Sequence, residues 1–280
     1  MPPDDRLRSA HWRSCLALEF ERRDARTVLA ARRHDGALVV QKPFYPEGDD
    51  LCQVIIVYPP AGIAGGDELS TTIRAGSGTH ALLTTPGAAK WYRSAGAWAR
   101  THVAIEALEA SRIEWLPQET IIYESALADI VWEARLAPDA RLIAWEVLCL
   151  GRRGSGEGFE RGRCQLETRL WRDGKLVWLE RGRIGPDSPL GRSAVGMNGH
   201  SVLGTAIVAA PAIDAAWLAM GRELTPRSGE AALTRLPGLL IARYRGDSSE
   251  AAREYFIALW KRLRMAVLGR PAMEPRIWCT

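Results

Sequence analysis

The sequence predicts a mainly β fold, with stacked or sandwiched β-sheets and a helical C-terminal portion. Three observations lead to this prediction. Strand-like segments follow one another through the first two thirds of the chain, separated by turns that contain Pro or Gly. Several of these segments alternate apolar and polar residues, which is typical of strands with one buried face. Near the C-terminus the apolar residues change to helical spacing.

Residues 1–35 are polar and rich in arginine, and only residues 15–20 alternate weakly as a first strand would. The further strand candidates are residues 51–58, 69–74, 79–85, 101–107, 112–116, 120–123, 130–136, 142–150, 163–171 and 176–179. Residues 142–150 are nearly all apolar, which predicts a strand buried on both faces. Asp173-Gly174 is a type I′ hairpin signal between the last two strands.

Two helices are predicted after the strands, at residues 213–224 and 247–268. In the longer helix, Asp247 is the expected N-cap, with Glu250 completing a capping box. Gly269 and Pro271 are expected to end it. We therefore predict a β-rich body at residues 1–205 and a helical portion at residues 206–280 packed on it, with one continuous domain as the alternative.

The composition is that of a folded globular protein, since 47% of the 280 residues are hydrophobic and 25% are charged. The five cysteines are scattered without a Cys-x-x-Cys pair, which favours free thiols and a cytoplasmic location. Residues 1–14 have no apolar signal core. Residues 202–220 are the most apolar long segment, but Pro211 and Asp214 interrupt it, so we predict a core strand that leads into a helix and no membrane span.

The turn-rich stretch at residues 58–94 gathers acidic, basic and aromatic side chains. Its first turn contains three glycines and Asp67, and a second turn leads into a basic and aromatic group. Glycines permit a positive φ and a close approach of another chain, so these turns are candidates for a functional surface, with ordinary hairpin turns as the alternative. The candidate residues are Gly62, Gly65, Gly66, Lys90, Tyr92 and Arg93.

Recognisable catalytic and cofactor motifs are missing from the sequence. There is no Walker loop, no His-Glu-x-x-His and no nucleophile elbow, so we predict no tight metal site and no tightly bound cofactor. The remaining chemistry lies in carboxylates beside turns, including Asp67 and Glu157. Glu146 differs from them because it lies inside the apolar run 142–150, where a carboxylate must be paired, protonated or in contact with a cation.

Several blocks of the sequence, in order, resemble the urease accessory protein UreD family, called UreH in some organisms. The blocks are residues 41–48, 59–67, 83–94, 114–120, 150–152 with 155–157, and 269–271 with 276–278. The resemblance implies a cytoplasmic, non-enzymatic scaffold with a β-rich body and a helical C-terminal portion. It also implies direct binding of UreF, indirect binding of the GTPase UreG through UreF, and nickel insertion into the urease apoprotein. The resemblance thus implies that UreG, and not this chain, binds and hydrolyses GTP.

The resemblance, together with the residue types, suggests candidates for a nickel passage and for an interface with UreF. Asp67, Glu146 and Glu157 are the candidates for lining a water-filled passage for nickel, because carboxylates and water bind Ni²⁺ more loosely than imidazole and thiolate do. The candidates for an interface with UreF are Tyr255, Leu259, Ile277 and Trp278, on the apolar helix face and tail. The alternative for these residues is that they complete the chain's own core.

Two other classes of function remain as alternatives at this point. A β-rich hydrolase could use a pair of the carboxylates as acid and base. A nucleic-acid-binding protein would need a basic patch with a known motif, and the sequence contains no such motif.

Overall fold

The structure is a computed structural model that describes residues 12–279. Within that range the chain forms two β-sheets that pack face to face, and one long helix covers the outer face of the larger sheet. This arrangement confirms the predicted mainly β fold with stacked sheets and a C-terminal helix. The predicted absence of a signal core falls mostly on residues 1–11, which lie outside the described range.

The first strands are β1 (Arg13–Arg23), β2 (Arg26–Asp35), β3 (Val39–Val40), β4 (Leu51–Val57), β5 (Glu68–Ala75), β6 (His80–Thr84), β7 (Ala89–Trp91), β8 (Ala99–Ala107) and β9 (Arg112–Trp115). They are followed by β10 (Thr120–Ile122), β11 (Leu127–Leu136), β12 (Arg141–Leu150), β13 (Arg163–Arg172), β14 (Lys175–Ile184), β15 (Val202–Ala209), β16 (Glu230–Leu236) and β17 (Leu239–Gly246). The helices are α1 (Pro189–Arg192), α2 (Ala215–Arg222) and α3 (Ser249–Leu268).

The seven-stranded sheet has the order β14-β13-β11-β8-β5-β1-β2, and the strands from β13 to β1 are parallel. The other sheet has ten strands, eight of them in the order β16-β17-β15-β12-β9-β6-β4-β3. In it β4, β6, β9 and β12 are parallel, whereas β12, β15, β17 and β16 are antiparallel. Parallel neighbours need a crossover connection, and here strands of the opposite sheet provide it. The first turn of the turn-rich stretch joins β4 to β5, which lie in different sheets, and the second joins β6 to β7, which do not pair with each other. Neither turn is therefore a hairpin.

Strand β12 lies at the centre of the molecule and is buried on both faces, as predicted from its apolar run. Leu142, Ala144 and Leu148 face the seven-stranded sheet in one core cluster. Ile143, Trp145 and other odd-numbered residues pack under α3 in a second cluster. The period of two along the strand places Glu146 on the face between the sheets.

Helix α3 ends as predicted, but it begins one residue later than expected. Ser248, not Asp247, is the N-cap, and its side chain accepts a hydrogen bond from the Ala251 N–H. Asp247 instead accepts hydrogen bonds from the Ser201 N–H at 2.9 Å and from the His200 ring, so no capping box forms. Gly269 ends the helix with a φ of 70° in the left-handed region.

The hairpin at Asp173-Gly174 is confirmed, since both residues have a positive φ between β13 and β14. Two features were not predicted. Strand β2 was hidden in the arginine-rich N-terminal region, and the β16–β17 hairpin turns at Pro237-Gly238, where Gly238 has a φ of 71°. Because β15 to β17 extend the ten-stranded sheet beyond residue 205, the C-terminal portion contributes strands as well as helices. Among the described residues, no helix combines the length and apolar composition that crossing a membrane requires.

Candidate functional site

A cavity of about 650 Å³ lies between the two sheets. Its walls are mostly apolar and include Ile63, Trp91, Trp132 and Leu203. Side chains that face inward from strands of both sheets line it, because period-two alternation directs every second residue into the space between the sheets. A cavity of this size could hold many water molecules or a small ligand.

A belt of polar side chains crosses the cavity from one sheet to the other. Glu146, Thr205 and Arg243 are neighbours in register on strands β12, β15 and β17 of the larger sheet. Glu180 projects from β14 of the seven-stranded sheet, and the Arg243 Nη1 donates to its Oε1 at 2.6 Å. The same Nη1 donates to the Thr205 Oγ1 at 2.7 Å. The belt thus joins the two sheets through one ion pair inside the cavity.

The Glu146 carboxylate has no ion pair or hydrogen bond to any of residues 12–279 and faces the cavity. Burial disfavours its charged form, and the nearby Glu180 adds a repulsion. Together they raise the pKa of Glu146 to about 7. The alternative predicted from the sequence, a buried ion pair with an arginine, is not formed with any arginine among residues 12–279. A carboxyl group with a pKa near neutrality can exchange a proton at physiological pH.

Three more charged residues line the cavity, and each has a partner of its own. The Arg245 guanidinium holds Glu230 at 2.6 Å and donates to the backbone oxygens of Ala194 and Gly196. Arg181 donates to Glu167 at 2.9 Å. Of the charged residues on this lining, Glu146 therefore stands apart as the one without a protein partner in the described range.

Asp67 does not line the cavity but organises the first turn of the turn-rich stretch. Its side chain is buried and accepts hydrogen bonds from the Ala64 N–H at 2.8 Å and the Trp12 N–H at 3.3 Å. Of the three candidate glycines, only Gly66 has a positive φ, at 97°. The prediction of positive φ at Gly62 and Gly65 is wrong.

The close approaches at these glycines are made within this chain. A Cβ on Gly62 would lie 2.2 Å from the Tyr92 ring, and one on Gly65 would lie 2.4 Å from the Ser94 hydroxyl. The backbone joins the two turns as well, since the Ile63 N–H donates to the Lys90 oxygen at 2.7 Å. The glycines are thus needed so that the first turn can pack against the second.

The second turn exposes its polar and aromatic groups. Tyr92 and Arg93 are exposed, and Lys90 is half-buried. The Tyr92 ring makes an edge contact with Tyr123 at 5.4 Å between ring centroids. This region of the surface is available for contact with another molecule.

Glu157 also lies outside the cavity lining. It binds the Arg152 guanidinium, with 2.9 Å to Nε, and accepts from the Glu124 N–H at 2.9 Å. The hydrogen bond from Arg152 lowers the pKa of Glu157. Of the three carboxylates predicted as a nickel passage, only Glu146 lines the cavity, and the structure does not bring the three together.

Two of the residues predicted to face UreF are buried in the chain's own core. Tyr255 and Leu259 lie on α3 against the ten-stranded sheet, each 3% exposed. Burial raises the pKa of Tyr255 to about 12. The α3 face that was expected to bind a partner is therefore covered, because the sheet beneath it presents a matching apolar surface.

The C-terminal tail is docked, as the sequence predicted. The Trp278 indole N–H donates to the Thr84 hydroxyl at 2.8 Å, and its ring lies 5.6 Å from Trp145 and 5.8 Å from Trp260. Trp278 and Ile277 remain partly exposed. These two residues are the members of the predicted interface that stay accessible.

A buried ion cluster under α3 was not predicted. Arg264 is fully buried and binds Glu114 at 2.9 Å and Glu47 at 2.6 Å. The Trp260 indole and the His80 ring also bond Glu114, at 2.6 and 2.8 Å. Burial opposes the charge on Glu114, but the bond from His80 and the charge of Arg264 outweigh it and lower its pKa to about 2.

The described residues contain no group of three or more His, Cys, Asp or Glu placed to hold a metal ion. Sequence reasoning identified Glu146 but missed Glu180, Thr205 and Arg243. The sequence pattern could have identified Arg243, because it follows Leu239 and Ile241 at a spacing of two and so lies on the same apolar strand face. Its partner Glu180 lies 63 residues earlier, and only the packing of the sheets reveals their contact.

Comparison with known proteins identifies the family of the chain. The family model described as "UreD urease accessory protein" matches residues 13–279. The urease accessory protein UreD of Azoarcus sp. (strain BH72) is 50% identical over 279 residues, with 98% of each chain covered. That of Dechloromonas aromatica (strain RCB) is 48% identical, over 97% of this chain and 96% of its own. One from Pseudomonas fluorescens is 44% identical, over 100% of this chain and 99% of its own. The chain belongs to the UreD family of urease accessory proteins.

Proposed function

We propose that this chain is a non-enzymatic scaffold that takes part in nickel insertion into the urease apoprotein. It binds UreF directly and UreG through UreF, in the cytoplasm, and GTP hydrolysis belongs to UreG. The chain itself holds nickel only in transit, and it needs neither nucleic acid nor a membrane. Membership in the urease accessory family supports the proposal.

The observation that carries the proposal is the cavity with its unpaired carboxylate. A delivery route must release its ion, so its ligands should be weak ones such as carboxylate and water. Glu146 supplies a carboxylate on the cavity wall that no Lys, Arg or His of the described part of the chain pairs with. Its pKa of about 7 allows it to lose a proton when a cation arrives and to regain one when the cation leaves.

The other predicted residues have supporting parts in this proposal. Asp67 and Glu157 hold their loops in place through hydrogen bonds. Tyr92 and Arg93 are exposed and suit a contact with a partner protein. The accessible tail residue Trp278 suits a contact with UreF, with Tyr255 and Leu259 supporting the helix from below.

The test is reconstitution of urease from its apoprotein with the chain, UreF, UreG, GTP and nickel. We expect Glu146→Gln to lower the nickel content of urease several-fold, while the complex with UreF still co-purifies. The matched control is Glu106→Gln, since Glu106 is an exposed glutamate on β8 that pairs with Arg74. Full nickel loading by the Glu146→Gln complex would contradict the proposed transit role.

A hydrolase remains as a second candidate because of one observation. Glu146 and Glu180 are two carboxylates in one cavity, and the raised pKa of Glu146 suits the acid of an acid–base pair. The purified chain, assayed alone against ester, amide and glycoside substrates, distinguishes the two. Turnover that Glu146→Gln abolishes would favour the hydrolase, and co-purification with UreF without turnover favours the scaffold.

A further inference from the structure

The ion pair between Arg243 and Glu180 is the contact by which the polar belt crosses the cavity. Glu180 belongs to the seven-stranded sheet and Arg243 to the ten-stranded sheet, and their atoms are 2.6 Å apart. Both side chains are about one-third exposed, which places the pair on the cavity wall and not in the packed core. The guanidinium also lies 5.9 Å from the Trp178 ring, which helps to fix its position.

The register of the strands decides which groups Arg243 can influence. Thr205 pairs with Glu146 on one side and with Arg243 on the other, so the three side chains form one row across neighbouring strands. Directly paired residues have Cβ atoms about 5 Å apart. The Cβ atoms of Glu146 and Arg243 are therefore about 10 Å apart across Thr205, whereas the guanidinium is bonded directly to Glu180.

The charge balance of this row is set by Arg243. The belt contains two carboxylates, of Glu146 and Glu180, and one cation. The remaining charged groups on the lining are Arg181, Glu230 and Arg245, and they are paired elsewhere. Without Arg243 the belt would hold two carboxylates with no neutralising group. Two such groups attract a divalent cation far more strongly than one does.

We propose that Arg243 is a specificity-determining residue that keeps the cavity from holding a divalent cation tightly, because it occupies Glu180 and leaves Glu146 as the one free carboxylate of the belt. The proposal rests on the proposed function, in which nickel must leave the cavity again. Arg243 acts as a counter-ion to Glu180, and it thereby sets how long a nickel ion remains bound in the cavity. A purely structural tie between the sheets would have no effect on metal affinity once the fold is intact.

The experiment measures nickel binding by the full chain co-purified with UreF, using equilibrium dialysis against Ni²⁺ at neutral pH. We expect Arg243→Gln to bind nickel at least about tenfold more tightly than the unaltered complex. The double variant Arg243→Gln with Glu180→Gln should return to within about threefold of the unaltered affinity, because the second carboxylate has been removed. Glu180→Gln alone should bind nickel no more tightly than the unaltered complex.

Arg243→Met is a second variant in case Arg243→Gln does not fold. Its side chain is unbranched and uncharged, so it should show the same gain in nickel affinity. An unchanged nickel affinity in folded Arg243→Gln or Arg243→Met complex overturns the proposal. An equal gain in the double variant overturns it too, since Glu180 would then have no part in it.

The same samples separate this proposal from the proposed function. If the unaltered complex loads urease with nickel but the Arg243 variants bind nickel no more tightly, only the role of Arg243 fails. If the unaltered complex never loads urease while Arg243→Gln gains affinity, the delivery function fails and the counter-ion role stands.

Discussion

At the scale of single residues, Glu146 shows how an apolar surrounding changes the chemistry of a carboxylate. Strand alternation directs it between the sheets, where Ala144 and Leu148 are its neighbours on the same face. Its presence within an apolar run identified it from the sequence alone. Arg243, two strands away in the same row, binds Glu180, and no local pattern encodes that choice, because it depends on how two distant strands face each other.

The raised pKa of Glu146 predicts a pH-dependent stability. In the unfolded chain its carboxyl group ionises near pH 4.5, whereas in the folded chain it ionises near pH 7. The folded state therefore holds the proton more tightly, and stability falls as pH rises between these values. Glu146→Gln cannot ionise, so above pH 7 we expect it to be more stable than the unaltered chain by up to about 2 kcal/mol.

Thermal unfolding of the chain in complex with UreF, measured at several pH values, checks this expectation. The melting temperature of Glu146→Gln should exceed that of the unaltered chain at about pH 8 and match it at about pH 4. Glu106→Gln, on the exposed face of β8, should show no such pH-dependent difference. Equal melting temperatures for Glu146→Gln and the unaltered chain at both pH values would contradict the raised pKa.

At the scale of elements, α3 is held both by its apolar face and by the buried ion cluster. The span of this helix was predictable from its apolar spacing and from Gly269. That Arg264 belongs to the buried face was also implied by spacing, since it follows Trp260 by four residues and precedes Val267 by three. Its partners Glu47 and Glu114 were not predictable, because they come from loops and strands more than 100 residues away.

Two arginines on α3 allow a matched test of this cluster. Arg264→Leu leaves Glu114 buried without the arginine that binds it, and leaves Glu47 with only Arg270 at 3.9 Å among the described residues, so we expect a loss of about 3–5 kcal/mol in the free energy of unfolding. Arg262→Leu removes only a surface ion pair with Glu223 and should change it by less than about 1 kcal/mol.

Denaturant unfolding of Arg264→Leu and Arg262→Leu measures the two losses in the free energy of unfolding. The lowered pKa of Glu114 means that its ionised form stabilises the fold above about pH 4.5, and that this contribution is lost as pH falls toward 2. If Arg264→Leu were as stable as Arg262→Leu near neutral pH, the cluster would not anchor the helix.

At the scale of the whole molecule, the chain passes back and forth between two sheets that enclose a cavity. The sequence predicts stacked sheets, because alternating strands each need a second layer to cover their apolar face. It does not predict that most central pairs are parallel, because strands that alternate apolar and polar residues are more typical of antiparallel sheets. The cavity was expected only through the family resemblance, and its walls come from strands that lie far apart in the sequence.

Filling the cavity with a large side chain tests whether it is the route for nickel. Thr168 on β13 lines the cavity, so Thr168→Trp would place a large indole in a space of about 650 Å³ without displacing packed core atoms. We expect nickel loading of urease to fall at least about fivefold, because atoms in the indole occupy space that water and the ion need. The control is Thr72→Trp on β5, where the side chain is exposed and an indole leaves the cavity open. Both variants should co-purify with UreF and unfold at similar temperatures. Normal nickel loading by Thr168→Trp would show that the ion takes another path, and a loss of loading in both variants would point to a surface effect of the added tryptophan.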